Sequence, residues 1–259
     1  MSQMRKIVFT LLLFLISFGF SEGQEERDAI DPGSKIEPTA GLEAALERLK
    51  LPGIKINLEE RCLDVEGEIC LVEGMLELVA CTKGSKEHES IIAIDAKAVH
   101  IHTALLLLGT KQGTPAMQKL VGGAEGRWID IPPSGGKVDV FLVTENSKGK
   151  LVERPISDFI VRSDPAEFDS EPLEKDERAF PTHTFLFAGS QLSEEGGGPR
   201  KYLADLSGNA ISVATFGDEL LCLPEVHSSV NGSLIWQANS SKLPKVGTKI
   251  TLRLRPKFQ

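Results

Sequence analysis

Hydrophobic and polar positions along this chain switch between two periods. Leu76, Leu78 and Ala80 alternate with Glu77, Val79 and Cys81, the spacing of a half-buried strand. Lys83-Gly84-Ser85 supplies a turn, with Gly84 free to take positive φ. Ser90-Ile91-Ile92-Ala93-Ile94 is rich in β-branched residues and predicts a second strand. Two strands across so short a turn predict an antiparallel hairpin. With Gly84 and Ser85 as its loop, Cys81 faces His88, and Glu77, Cys81, His88 and Ser90 share one face. A slip of one residue moves His88 to the Leu78/Ala80 face instead.

The helical period follows at once. Asp95 is a good N-cap for a helix over 96–108, which Gly109 ends. Ala98, Val99, His102, Leu105, Leu106 and Gly109 fall on one side at helical spacing, so His102 sits on the expected buried stripe and His100 points elsewhere. A His-x-His pair chelates poorly on a helix, where residues two apart diverge.

Elsewhere the pattern predicts a helix over 42–51, a strand from Ile54, and a hairpin over 63–72 turning at Glu66-Gly67. A Gly- and Pro-rich loop over 113–136 is expected to be pinned by Trp128. Residues 138–143 and 151–153 form a hairpin around 146–149, and 157–161 read as strand or short helix. Residues 182–188 are a strand, and 202–205 pairs with 210–214 across Ser207-Gly208-Asn209. Residues 233–237 and 249–255 close the chain as strands. The count of elements predicts an α+β fold: a largely antiparallel sheet built from hairpins, one central helix over about 96–109, and a short N-terminal helix.

Arg5 and Lys6 precede an apolar run to Phe20, with small Ser21 and Gly23 after it. This reads as a secretory signal peptide over 1–23, too short to span a bilayer easily; the alternative is an uncleaved anchor. A flexible linker over 24–40 and a single domain over 41–259 follow, with halves 41–163 and 181–259 joined by an acidic connector at 164–180. The expected location is periplasmic or extracellular, with no stable membrane anchor after cleavage. Net charge is −8, and loss of Arg5, Lys6 and Glu22 makes the mature chain one charge more acidic. No basic patch of the kind that nucleic acid demands is present.

The stretches Leu76-Glu77, Lys86-Glu87-His88-Glu89-Ser90 and His102-Thr103-Ala104-Leu105-Leu106-Leu107-Leu108-Gly109 resemble the YdjY-like family of bacterial exported proteins. So do Phe187-Ala188-Gly189-Ser190, Tyr202-Leu203-Ala204-Asp205-Leu206-Ser207-Gly208 and Phe216-Gly217-Asp218-Glu219-Leu220-Leu221-Cys222-Leu223-Pro224. The likeness covers about 60–225 in matching order. It implies an envelope or secreted location and points to no catalytic residues.

Candidate chemistry is sparse. Cys62, Cys70, Cys81 and Cys222 are disulfide candidates if the chain is exported, although the 63–72 hairpin would put Cys62 and Cys70 on opposite faces. His88, His102 and an acid, Glu77 or Glu89, are ligand types that suit zinc, but Ile92 stands where a zincin motif needs its second histidine. Gly189-Ser190 lacks the Gly-x-Ser-x-Gly elbow, and Cys81 with His88 is a nucleophile–base pair only in the first register. The candidate pocket is Glu77, Cys81, His88, Glu89, His102 and Ser190. Two functions follow: a non-enzymatic module binding a small ligand or an envelope protein, or a zinc-type hydrolase centred on His88 and His102. Structural roles for both histidines weigh in favour of the first.

Overall fold

Alternation decides the core. In the computed structural model the strands that alternate most cleanly, over 62–69, 137–145 and 249–256, bury every second residue, whereas those over 78–82, 90–94 and 209–212 are buried almost throughout. The structure describes residues 49–122, 126–146, 148–163, 177–193 and 198–258, all within one unit, Pro32–Gln259. The expected signal peptide and linker lie outside them, as do most of the 42–51 helix, most of the acidic connector and part of the loop at 194–199.

In chain order the first half supplies β1 (Ile54–Asn57), β2 (Cys62–Ile69), β3 (Leu78–Thr82), β4 (Ser90–Ile94), α1 (Ala98–Leu107), β5 (Met117–Val121), β6 (Arg127–Ile131), β7 (Lys137–Glu145), β8 (Leu151–Pro155) and β9 (Ile160–Arg162). The second supplies β10 (Thr184–Phe187), α2 (Leu203–Ser207), β11 (Asn209–Ser212), β12 (Leu221–Cys222), β13 (Trp236–Ala238) and β14 (Lys249–Pro256). Hydrogen bonds run β2-β14-β7-β10-β12-β11-β3-β4 and return from β4 to β2, closing an eight-stranded barrel. The expected α+β sheet with a central helix is thus corrected to a mostly β barrel. Periodicity shows which face of a strand is buried, not which strand it joins. The decisive pairings, β2 with β14 and β2 with β4, join segments that no turn connects.

The 76–94 hairpin is the sharpest correction. Both strands form, but they pair in parallel, Leu78 with Ser90 and Ala80 with Ile92. Strands this short need a return path of only about 13 Å at ~3.3 Å per residue, which the connection over 83–89 can span without a crossover helix. The connection ends in a 3-10 turn, Glu87–Glu89. The 63–72 hairpin is also absent, because β2 runs straight through Glu66-Gly67. Gly67 is required not for a turn but for approach: a Cβ there would stand 2.8 Å from the Ala93 carbonyl of β4. Cys62 therefore opens β2 and Cys70 stands just past its far end.

The expected strand at 202–205 does not pair with 210–214: Tyr202 is extended and bridges Leu192, and the helix α2 begins at Leu203. The 113–136 loop contains the β5–β6 ribbon, and Trp128 is 64% exposed instead of pinning it. The 146–149 hairpin is present between β7 and β8, and residues 156–159 form a 3-10 turn leading into β9.

Helix α1 stops at Gly109 (φ 85°), as expected. Its start differs. Asp95 bonds Lys83 at 2.7 Å and does not cap. The Asp205 carboxylate, from α2, instead accepts from the N–H groups of Ala98 (2.6 Å) and Val99 (3.4 Å). Its buried face is Ala98, Ile101, Ala104, Leu105 and Leu108, joined to Leu63, Val140 and Leu252 in one core, while Leu106 is exposed and His102 only half-buried. Fully burying each of these leucines or isoleucines contributes ~1.5–3 kcal/mol.

Candidate functional site

The 83–89 connection gathers one set of the expected residues. Glu77 is buried; its N–H bonds the Glu89 carbonyl at 3.1 Å and its Oε2 lies 3.1 Å from Lys86 Nζ. The Lys86 ammonium sits 3.8 Å over the Phe216 ring. Burial, then a hydrogen bond with the Glu89 carboxyl, holds the Glu77 pKa above the usual carboxylate value, against the pull of Lys86. His88 stands at the rim, 73% exposed, its Nε2 3.6 Å from Glu89 Oε1. Cys81 does not face His88. It is buried in β3, opposite Ala93 of β4.

His102 and Ser190 belong to another network. Tyr202 donates its hydroxyl to the Gly189 carbonyl (2.9 Å), so His102 Nδ1, 2.8 Å from Tyr202 Oη, carries the proton of that contact. The imidazole stands edge-on to Phe187, centroids 4.9 Å apart, and burial lowers its pKa. Ser190 is in the left-handed region (φ 52°), donates to the Asp218 carbonyl and accepts from Ala204 N–H. Its hydroxyl works as a clasp for α2. Among the described residues no three His, Cys, Asp or Glu side chains form a group able to hold a metal ion. His88 and His102 have different partners.

A cleft of about 300 Å³ opens where α1 ends, and no sequence motif marks it. Its floor is backbone. Gly136 N–H bonds the Lys111 carbonyl and Phe187 N–H bonds the Gly136 carbonyl, both at 2.8 Å. A Cβ on Gly135 would stand 2.2 Å from the Phe187 carbonyl, and one on Gly136 2.8 Å from Thr110 Cγ2, so glycine is required at both. Among the described residues, Lys111, Lys137 and Lys257 line the cleft with Phe258, and no acidic side chain does. Lys257 pairs with Asp139 at 3.4 Å, and the Arg61 guanidinium lies 3.3 Å over the Phe258 ring. A hollow of about 420 Å³ shares Lys137 and Lys257 with this cleft and adds Glu225, and one of about 470 Å³ has no lysine or arginine among its described lining residues. The signal in the sequence was faint: Gly109-Thr110-Lys111 and Gly135-Gly136-Lys137 are two glycine-to-lysine steps in an acidic chain.

The YdjY domain model matches residues 54–255, from the first residue of β1 almost to the end of β14. This chain belongs to the YdjY family. No curated protein and no solved structure gives a significant match. The YdjY match passes well beyond Pro224, where the quoted motifs end, so the closing strand β14 is part of the same domain. Lys111 and Lys137 fall inside the match, with Lys257 and Phe258 just after it. Among the described residues of this YdjY-family chain, no helix is long and apolar enough to cross a membrane.

Proposed function

We propose that this YdjY-family protein is an exported, non-enzymatic binding module whose ligand is a small anion with an apolar or aromatic part. One observation carries the reading: three lysines on separate segments converge on a glycine-floored cleft beside Phe258, in a chain whose net charge is −8. At ~4 Å, each cation attracts a unit negative charge by roughly 1 kcal/mol in water and more where solvent is displaced. The cleft volume lies at the lower end of the ~300–1,000 Å³ range of small-molecule sites. Export rests on the Arg5-Lys6 and apolar pattern at the N-terminus. The hydrolase alternative is not favoured by the contacts of His88, His102 and Glu89, and zinc has no part in this reading.

Calorimetric titration with phenyl phosphate, inorganic phosphate and phenol tests it. Phenyl phosphate is expected to bind most tightly, phosphate more weakly, and phenol not measurably. Lys137→Gln and Lys111→Gln each weaken phenyl phosphate by about fivefold, the equivalent of ~1 kcal/mol. Absence of binding by all three probes, or affinity indifferent to both substitutions, would overturn the proposal.

A further inference from the structure

Strands β5 and β6 form a two-stranded sheet of their own, in which Gln118 stands opposite Asp130 and Leu120 opposite Trp128. Residues directly opposite share a face, and the face alternates along each strand. Gln118, Asp130, Leu120 and Trp128 therefore lie on one face, in two neighbouring rows. The outer row is apolar and open to water, with Trp128 64% exposed and Leu120 45%. A large aromatic left in solvent beside an aliphatic neighbour marks a contact surface. The inner row is polar. Gln118 Nε2 donates to Asp130 Oδ1 at 2.9 Å, which holds the two planar groups together. Gln118 Oε1 and Asp130 Oδ2 are left as acceptors without a protein partner among the described residues.

Gln118 and Asp130 also line the hollow of about 470 Å³, which lies between the base of this ribbon and the segments 215–217 and 226–229. The base is fixed in place. A Cβ on Gly217 would stand 3.3 Å from the Ala116 carbonyl, and the Gly217 carbonyl accepts from Gln191 at 2.8 Å. The far wall is paired: Thr215 N–H bonds the His227 carbonyl at 2.9 Å, and His227 N–H bonds Thr215 Oγ1 at 3.0 Å. Ser228 and Ser229 add hydroxyls to that wall, and Phe216 and Val226 add apolar surface. Among the described lining residues Asp130 is the one carboxylate and no lysine or arginine offsets it, so the hollow is unsuited to an anion. It shares no lining residue with the lysine cleft.

We propose that the Trp128 face and this hollow form a second binding site, whose ligand is a neutral pyranose oligosaccharide. Such a ligand has the same division as the site. Its rings carry aliphatic C–H groups on their flat faces and hydroxyls around their edges. The slightly positive C–H groups lie on the negative face of the Trp128 indole, with Leu120 beside it. Neighbouring hydroxyls of the next ring donate to Asp130 Oδ2 and Gln118 Oε1, and others exchange hydrogen bonds with Ser228 and Ser229 inside the hollow. The volume falls within the ~300–1,000 Å³ of small-molecule sites, and the lining, mostly apolar with a few placed polar groups, has their usual composition.

The chain has two tryptophans, and Trp236 is buried, so quenching of emission by acrylamide reports on Trp128. The folded full chain is titrated with cellotetraose and with tetra-N-acetylchitotetraose, and with sorbitol as a polyol that has no ring face. At least one oligosaccharide is expected to bind and to shield Trp128 from acrylamide, and sorbitol to do neither. By calorimetry, Trp128→Ala is expected to weaken the oligosaccharide about tenfold or more and Asp130→Asn about fivefold, while Lys137→Gln leaves it unchanged. Asp130→Asn keeps the shape of an exposed side chain, so a loss there is not a failure to fold. No binding by either oligosaccharide, or affinity unchanged in both Trp128→Ala and Asp130→Asn, would overturn the proposal. So would shielding of Trp128 by phosphatidylglycerol vesicles and by neither sugar, which would make the ribbon a membrane contact.

Discussion

Asp205→Ala is the substitution that best separates what the structure says about α1 from what its own sequence says. The Asp205 carboxylate takes the Ala98 N–H at 2.6 Å and, less directly, the Val99 N–H at 3.4 Å, two of the four donors that a helix start leaves unpaired. Loss of an ordinary N-cap costs ~0.5–2 kcal/mol, and the charge-assisted first bond places this one near the top of that range. The expected loss is thus ~2 kcal/mol, a fall in Tm of roughly 4–8 °C for a domain of this size. Asp205→Asn keeps an acceptor oxygen and is expected to lose less than half as much. Asp95→Ala is the control. Asp95 occupies the sequence position of a cap but spends its carboxylate on exposed Lys83, so its removal costs no more than ~1 kcal/mol. Urea and thermal unfolding of the three variants measure all of this. If Asp95→Ala proved as costly as Asp205→Ala, the helix would be capped from its own sequence and the account of α1 would be wrong.

Further outcomes follow from the same geometry. Gly67→Val drives a side chain into the Ala93 carbonyl at the barrel seam, and a loss of about 2–3 kcal/mol is expected in urea unfolding; a neutral result would mean β2 and β4 are not in contact. Gly135→Ala meets the Phe187 carbonyl from a φ of 146°, so it should destabilise by at least ~2 kcal/mol, where an exposed flexible loop would show almost none. His102 carries a pH signature. Burial lowers its folded pKa, so its contribution to stability is present above about 6.5 and is lost as pH falls through the folded value. Unfolding free energy of the native chain should therefore drop between pH 7.5 and 5 by more than that of His102→Gln; equal slopes would mean the ring is not desolvated.

Much of the local structure was readable from residue order. The strands at β3, β4, β7, β10 and β14, the β7–β8 turn and the Gly109 stop all follow from period and turn chemistry. What escaped were relations between distant segments. Leu78 beside Ser90 is a parallel pair in which chain proximity suggested a hairpin, and the parallel direction sets Cys81 opposite Ala93 rather than His88. The helix stripe was rotated because Ile101, Ala104 and Leu108 face the barrel, while His102, at a position that the pattern marked as buried, reaches sideways to Tyr202. Glu77, His88 and Glu89 do meet, through the return connection, and His102 with Ser190 lies in the Tyr202 and Gly189 network. The lysine cleft had only two faint glycine-to-lysine steps to mark it, since its cations come from three segments that only barrel closure brings together.

The most direct test of a lysine-lined ligand cleft is amide chemical-shift mapping as phenyl phosphate is added to the isotope-labelled full chain. The account predicts that the largest shifts fall on Gly109, Thr110, Lys111, Gly135, Gly136 and Lys257, and that Lys137→Gln reduces them at equal ligand concentration. Shifts centred on Lys86 and the Glu77/Glu89 pair, or scattered evenly over the surface, would contradict it.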